Sequence, residues 1–304
     1  MENKTKGIIL VLITAIVSGV SIFLNSFAVK GFDSSVFTFS KNILVAVFLL
    51  AIISGIGQLS ALRQLTSKQW MKLTAIGLIG GSIPFLLFFK GLQMTNATAS
   101  GFIHKMLFIF ATAMAIIFIK EKINKWLIIG ISLLTAGTFV LVKPQLSFSF
   151  GEGLLLAAVI LWAAENTISK HILKELSGTV VAFGRMFFGA LFIFIFLLST
   201  GKAGKLTAMT LDQYAWIALT TVLLLLYVMT FYNGLKHVKL STAAAILSLG
   251  MPITIMLDFT FRGTAITAYQ AIGAMLIVAG TASVIFLAEK TKNTAQTGVP
   301  DERN

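Results

Sequence analysis

The chain has 304 residues, 57% of them hydrophobic and only 12% charged, with 24 Lys+Arg against 11 Asp+Glu and a net charge of +13. A soluble domain carries about a quarter charged residues, and no soluble fold of this length hides so much apolar side chain, so a soluble globular protein is excluded. Cysteine is absent, which excludes a disulfide framework and a thiolate metal site.

A helix needs about 20 mostly apolar residues to cross the hydrocarbon core. After a short basic N-terminus (1–6), ten such stretches follow in order: Gly7–Val29, Ser34–Gly55, Lys72–Gln93, Ala97–Ile119, Asn124–Val142, Glu152–His171, Gly178–Ser199, Gln213–Gly234, Ser241–Phe261 and Ala268–Ala288. The first is too long for the apolar core of a signal peptide, and Ala28-Val29-Lys30 is a poor cleavage site, so it is read as a retained span. The runs are continuous and about twice the length of the alternating strands of a membrane β-barrel. Residues 289–304 are polar and read as a disordered cytoplasmic tail. The expected fold is an all-α membrane protein of ten transmembrane helices.

The bases sit at the ends of the apolar runs, which is the distribution of a polytopic membrane protein and not of a nucleic-acid binder. With a cytoplasmic N-terminus, fifteen of the 24 bases fall in inner segments, six in outer segments, and Lys41, Lys105 and Arg185 within spans. This bias predicts a multi-pass protein of the cell (inner/cytoplasmic) membrane with both termini in the cytoplasm.

Shifting the second half back by 143 positions superposes Gly91-Leu92 on Gly234-Leu235, Gly130 on Gly273, and Ala136-Gly137-Thr138 on Ala279-Gly280-Thr281. A shift of 144 places Val36, Phe39 and Lys41 on Val180, Phe183 and Arg185. The two copies, 7–143 and 151–288, each hold five spans. Five is odd, so the second copy enters the membrane from the opposite side. Inverted repeats of this kind typify secondary transporters, whose copies meet at a midplane site.

The run Gly91-Leu92, Thr98-Ala99-Ser100-Gly101, Lys120-Glu121-Lys122-Ile123, Gly130 and Ala136-Gly137 resembles the EamA-type domain of the drug/metabolite transporter superfamily. Met251-Pro252 is similar to that family's proline in the ninth span, and Trp162 to a tryptophan early in the repeat. The first copy departs from the pattern: Ile109 stands opposite Pro252, and Lys120-Glu121 replaces Gly-Glu. The resemblance implies an exporter or exchanger of amino acids, metabolites or drugs. It also implies a central cavity lined by spans one to four and six to nine, with five and ten peripheral.

Charged groups inside spans are expensive and point to function. Lys105, beside His104 in span four, is the candidate anion or counter-ion group. Glu165 and Asn166 lie near the middle of span six, one turn from Trp162; a buried carboxylate there can carry a coupling proton or pair with Lys105 or Lys41. Lys41 and Arg185 are read as snorkelling bases near span ends, and Asp258 with Arg262 as an i,i+4 pair. Tyr227 and Ser248 complete the expected substrate-binding set. Pro84 and Pro252 break the backbone ladder at mid-depth, freeing carbonyls for a substrate or a hinge.

The function expected is secondary active transport of small metabolites, such as amino acids or related polar and amphipathic compounds, by alternating access. Its partners are a small-molecule substrate, the lipid bilayer and a coupling proton, with no nucleic acid, metal or cofactor. The alternatives are an intramembrane enzyme or a membrane scaffold or sensor. An enzyme would need a nucleophile–base pair or paired aspartates at mid-depth, and Glu165 and Asp258 lie at different depths. No Gly-x4-Gly-Lys-Ser/Thr pattern for ATP binding occurs.

Overall fold

The structure, a computed structural model, describes residues 2–28, 32–95, 97–143 and 149–287; the predicted tail at 289–304 lies outside them. Among the described residues there are ten helical segments long and apolar enough to cross a membrane. Spans one and two are α1 (Glu2–Ala28) and α2 (Ser34–Gly55), followed by a short surface helix α3 (Leu59–Arg63). Span three is divided into α4 (Ser67–Gly81) and α5 (Ile83–Met94), and span four into α6 (Ala97–Lys105) and α7 (Leu107–Phe118). Span five is α8 (Lys125–Val142). The second copy runs α9 (Phe150–Ile172), α10 (Gly178–Ser199), α11 (Leu211–Leu235), the divided ninth span α12 (Leu240–Leu247) and α13 (Gly250–Arg262), and α14 (Ala268–Ala282), which ends in a π-helical turn at Ser283–Leu287.

The helices start where polar side chains can serve the unpaired amides of the first turn. The starts also repeat. Capping boxes at Thr66/Gln69 and Thr210/Gln213 stand 144 positions apart, as do the N-caps Asp33 and Ser177. Asn124 and Thr267 cap α8 and α14 at the 143 offset.

Packing follows the same pseudo-two-fold relation. α1 lies on α11 as α9 lies on α5; α2 lies on α10; α8 lies on α14. Glycines permit the closest approaches. A Cβ on Gly234 would meet the Gly7 carbonyl, and one on its counterpart Gly91 would meet the Gly151 carbonyl. In the α8–α14 pair, Gly130 faces the Gly280 carbonyl and Gly137 the Gly273 carbonyl, as antiparallel helices on a two-fold axis require. The outward-facing remainder is apolar: Val47 is 56% exposed, Phe139 57% and Met275 63%. These side chains face the acyl chains that replace water around such a protein.

The α8–α14 seam yields a direct prediction. Gly137→Leu puts a branched side chain against the Gly273 carbonyl and Leu276, and overpacking of this kind costs about 1–3 kcal/mol. Lower thermal stability in detergent is expected, with Gly153→Leu, where a Cβ meets nothing within 4 Å, as the neutral control. Equal melting of the two variants would refute the seam.

Span four breaks at Met106, although it has no proline. Met106 corresponds to Leu249 at the break of span nine, which precedes Pro252. The missing amide hydrogen of Pro252 therefore does not cause the break by itself; the same interruption forms at the same place in a copy with Ile109 instead.

Candidate functional site

The site begins with what Pro84 lacks. In a continuous helix the amide of residue 84 would donate to the Gly80 carbonyl, and proline has no amide hydrogen. The freed Gly80 oxygen accepts instead from Trp162 Nε1 and from an Nη of Arg185, each at 3.1 Å. The next carbonyl, Gly81, loses its partner because the Phe85 amide turns to the Ser82 oxygen, and Asn42 Nδ2 takes it at 3.0 Å. One break in span three thus anchors side chains from α2, α9 and α10. Gly80 has to be glycine for this approach, because a Cβ there would collide with the Glu165 side chain.

Around that anchor is a cavity of about 250 Å³ at the junction of the two copies. Ser18, Ser21 and Asn25 come from α1, Thr38, Lys41 and Asn42 from α2, and Phe85, Phe88 and Phe89 from α5. The second copy contributes Trp162, Glu165, Asn166, Arg185, Tyr227 and Phe231. A smaller adjoining cavity of about 90 Å³ is bordered by Lys105, His104, Asn166, Tyr227 and Ser248. Neither cavity has a wall from α8 or α14.

All seven residues of the predicted substrate-binding set therefore border the two cavities. Their partners differ from expectation. Glu165, 1% exposed, does not pair with Lys105 or Lys41. Its Oε1 accepts from the Tyr232 hydroxyl at 2.6 Å and the Ser169 hydroxyl at 2.5 Å. His104 packs its ring at 5.0 Å from Phe88 and 5.5 Å from Trp162. Asp258 and Arg262 do form the i,i+4 pair, at 3.0 Å. Arg185 does not snorkel: it is 8% exposed and reaches the cavity. Asn42, Ser21 and Thr38 went unrecognised in the sequence, and Asn25 and Tyr232 stand there only as polar tips within spans, without an assigned role. Only the Lys41–Arg185 coincidence in the repeat signalled that these bases stand at a shared place.

The two ends of the molecule are held differently. At the face carrying the N-terminus, Lys170 Nζ donates to the carbonyls of Leu235, Lys236 and Val238 at 2.7, 3.3 and 2.6 Å. Glu121 accepts from the Leu240 and Ser241 amides, at 2.7 and 3.3 Å, at the positive start of α12. Lys72 pairs with Glu175 at 2.8 Å, and the Lys72 and Gln69 side chains hold that exposed carboxylate below its ordinary range. His237, in the same face, is held below the usual histidine range by desolvation and by Lys236, Lys6 and Lys170.

At the opposite face, Ser26 and Thr264 occupy the positions equivalent to Lys170 and Glu121, so neither charged group of this latch is repeated; Ser26 accepts instead from the Arg262 guanidinium. A recess of about 560 Å³ opens there between Phe89, Gln93, Asp33, Lys202 and Lys205, sharing Phe89 with the central cavity. Asp33 pairs with Lys202 at 3.0 Å and Lys205 at 3.2 Å. Burial raises its pKa, but the hydrogen bonds from both lysines and the Ser35 amide outweigh that and hold it below the ordinary value.

The model of the EamA-like transporter family matches the chain twice, over residues 5–143 and 149–286. The chain belongs to the EamA-like transporter family. An uncharacterized transporter of Bacillus subtilis, YyaM, is 24% identical over 88% of this chain and 89% of its own. An uncharacterized transporter of Archaeoglobus fulgidus is 24% identical over 92% and 96%. The Escherichia coli inner membrane transporter YhbE is 23% identical over 58% of each chain. A solved crystal structure superposes with a TM-score of 0.77 over 95% of this chain and 99% of its own at 15% identity, which shows a shared fold. This EamA-like chain is thus a multi-pass membrane transporter.

Proposed function

We propose that this EamA-like chain is a secondary active transporter that moves small polar or amphipathic metabolites by alternating access through the central cavity. The observation that carries the reading is the position of the cavity. It lies between two inverted copies, latched at one face and adjoining a recess at the other. The N-terminal face is read as cytoplasmic from the Lys and Arg bias, so the present state faces outward. The seven predicted residues, Lys105, His104, Trp162, Glu165, Asn166, Tyr227 and Ser248, are assigned to the substrate path. Pro84 and Pro252 are assigned to the hinges, because each lies within a few residues of a break in a span.

Glu165 is assigned to proton coupling. It is the acid bordering the cavity, and the groups facing it are Arg185 on α10, Tyr227 and Tyr232 on α11, Ser169 on its own helix, Lys41 on α2 and His104 on α6. Counterflow in proteoliposomes against a panel of amino acids, organic anions and lipophilic cations tests the transport reading. Accumulation of at least one labelled solute is expected, and absence of both movement and ligand-induced stabilisation across the panel would refute it.

A further inference from the structure

We propose that the central cavity takes an organic monoanion with an apolar body, its anionic group held by Arg185 and Lys41 and its body laid against Phe85, Phe88 and Trp162. The inference deepens the transporter reading and rests on it.

The two bases are counterparts in the repeat, 144 positions apart, on α2 and α10, which pack against each other across the pseudo-two-fold. Both border the same cavity. Ion pairs among the described residues lie at the two faces, and neither base takes part in one. Lys41 Nζ rests 4.0 Å from the centre of the Phe37 ring, a contact that leaves its hydrogen-bonding capacity unused. Arg185 donates to the Gly80 carbonyl and interacts with the Tyr232 hydroxyl, and its Nε has no acceptor. A buried charge without a full counter-ion is costly. Glu165, the acid on the same cavity, attracts the Arg185 guanidinium but forms no direct ion pair with it, and one of its oxygens is already occupied by Tyr232 and Ser169. With two bases and one acid, the cavity carries net positive charge whether or not Glu165 is protonated. Lys105 in the adjoining cavity adds to it.

The rest of the wall fixes what else the ligand needs. Phe85 and Phe88 stand 5.2 and 5.4 Å from Trp162, ring centre to ring centre, and His104 closes the cluster. Their faces suit a planar or aliphatic body. A volume of about 250 Å³ is below that of a drug-sized pocket, so the ligand is a small carboxylate or its phosphonate equivalent. A guanidinium donates to either group through its fork of N–H bonds.

The test uses the full chain in proteoliposomes and in detergent, with 3-phenylpropionate, hexanoate, benzylphosphonate, 3-phenylpropanamide and 3-phenylpropylamine as probes. The carboxylates are expected to raise the melting temperature and to drive counterflow of labelled 3-phenylpropionate, whereas the amide and the amine do neither at equal concentration. Activity of the phosphonate as well supports an anion site that reads charge; its inactivity supports one that selects the planar carboxylate. Arg185→Gln is expected to weaken 3-phenylpropionate at least tenfold, with Arg185→Lys recovering part of the loss. Should Arg185→Gln not fold, Lys41→Met, which removes only a ring contact from the protein's own interior, must weaken the same probe severalfold. Equal binding and movement of the amide or the amine would overturn the anion site while leaving the transporter reading intact. If no probe or panel solute binds or moves, both fall together.

Discussion

In a chain carrying Lys170→Met together with Glu121→Gln, a cysteine placed at Ser248 is expected to react from the N-terminal face about ten to a hundred times faster than in the otherwise unaltered chain. The background is clean, because the protein has no cysteine. Lys170 binds three carbonyls at and just beyond the end of α11, and Glu121 binds the first amides of α12 and the Ser241 hydroxyl. Together they tie the ends of spans four, six, eight and nine.

Hydrogen bonds to charged groups contribute about 1.5–3 kcal/mol each when buried, and less where water competes. If only one such bond at this face is lost on opening, its removal shifts the equilibrium by about ten- to a hundredfold. The shift is expected to be one-sided, because neither Lys170 nor Glu121 has a charged equivalent at the other face, where Ser26 and Thr264 stand. A substitution moves a two-state equilibrium only by its differential effect on the two states, and this one removes contacts from the closed N-terminal face. Unchanged labelling in a variant that keeps its melting temperature would show that the latch does not hold the gate.

The second large effect is expected at Glu165. Glu165→Gln keeps an acceptor for Tyr232 and Ser169 and keeps the volume, so the fold is expected to survive. Proton-driven uptake is expected to fall at least tenfold, and the remaining transport to lose its response to an imposed pH gradient. Glu165→Leu removes the acceptor as well. It strands two buried hydroxyls, at about 1–3 kcal/mol for each group left unsatisfied, and is expected to lower the melting temperature where Glu165→Gln does not. Uptake measured with imposed pH gradients, alongside thermal unfolding of both variants, separates coupling from packing. Wild-type pH dependence in Glu165→Gln would remove Glu165 from the coupling role and leave it as a structural acceptor.

Much of the fold was legible because the bilayer constrains each segment locally. A span must be apolar over about 20 residues and must satisfy its own backbone, so ten spans could be read from length alone. The offset of 143–144 then revealed two opposed copies, and the structure places the paired glycines Gly130–Gly280 and Gly137–Gly273 where that symmetry requires. The site was legible only in part. Lys105, His104, Trp162, Glu165, Asn166, Tyr227 and Ser248, which border the cavities, were singled out because polar groups within spans are conspicuous. Arg185 was conspicuous too, but its distance from a span end suggested snorkelling.

What the sequence determined by itself was that Pro84 leaves a carbonyl without its amide. What only the tertiary structure decided was who takes it: Trp162 and Arg185, 82 and 105 residues away along the chain. The same division holds for Glu165. Its burial followed from its place in an apolar span, but its partners, Tyr232 on α11 and Ser169 one turn along its own helix, did not. A missing donor is a property of one residue and its helix. The choice among distant side chains that can satisfy it depends on which helices the glycine contacts bring within about 3 Å, and no local rule of composition or periodicity contains that distance.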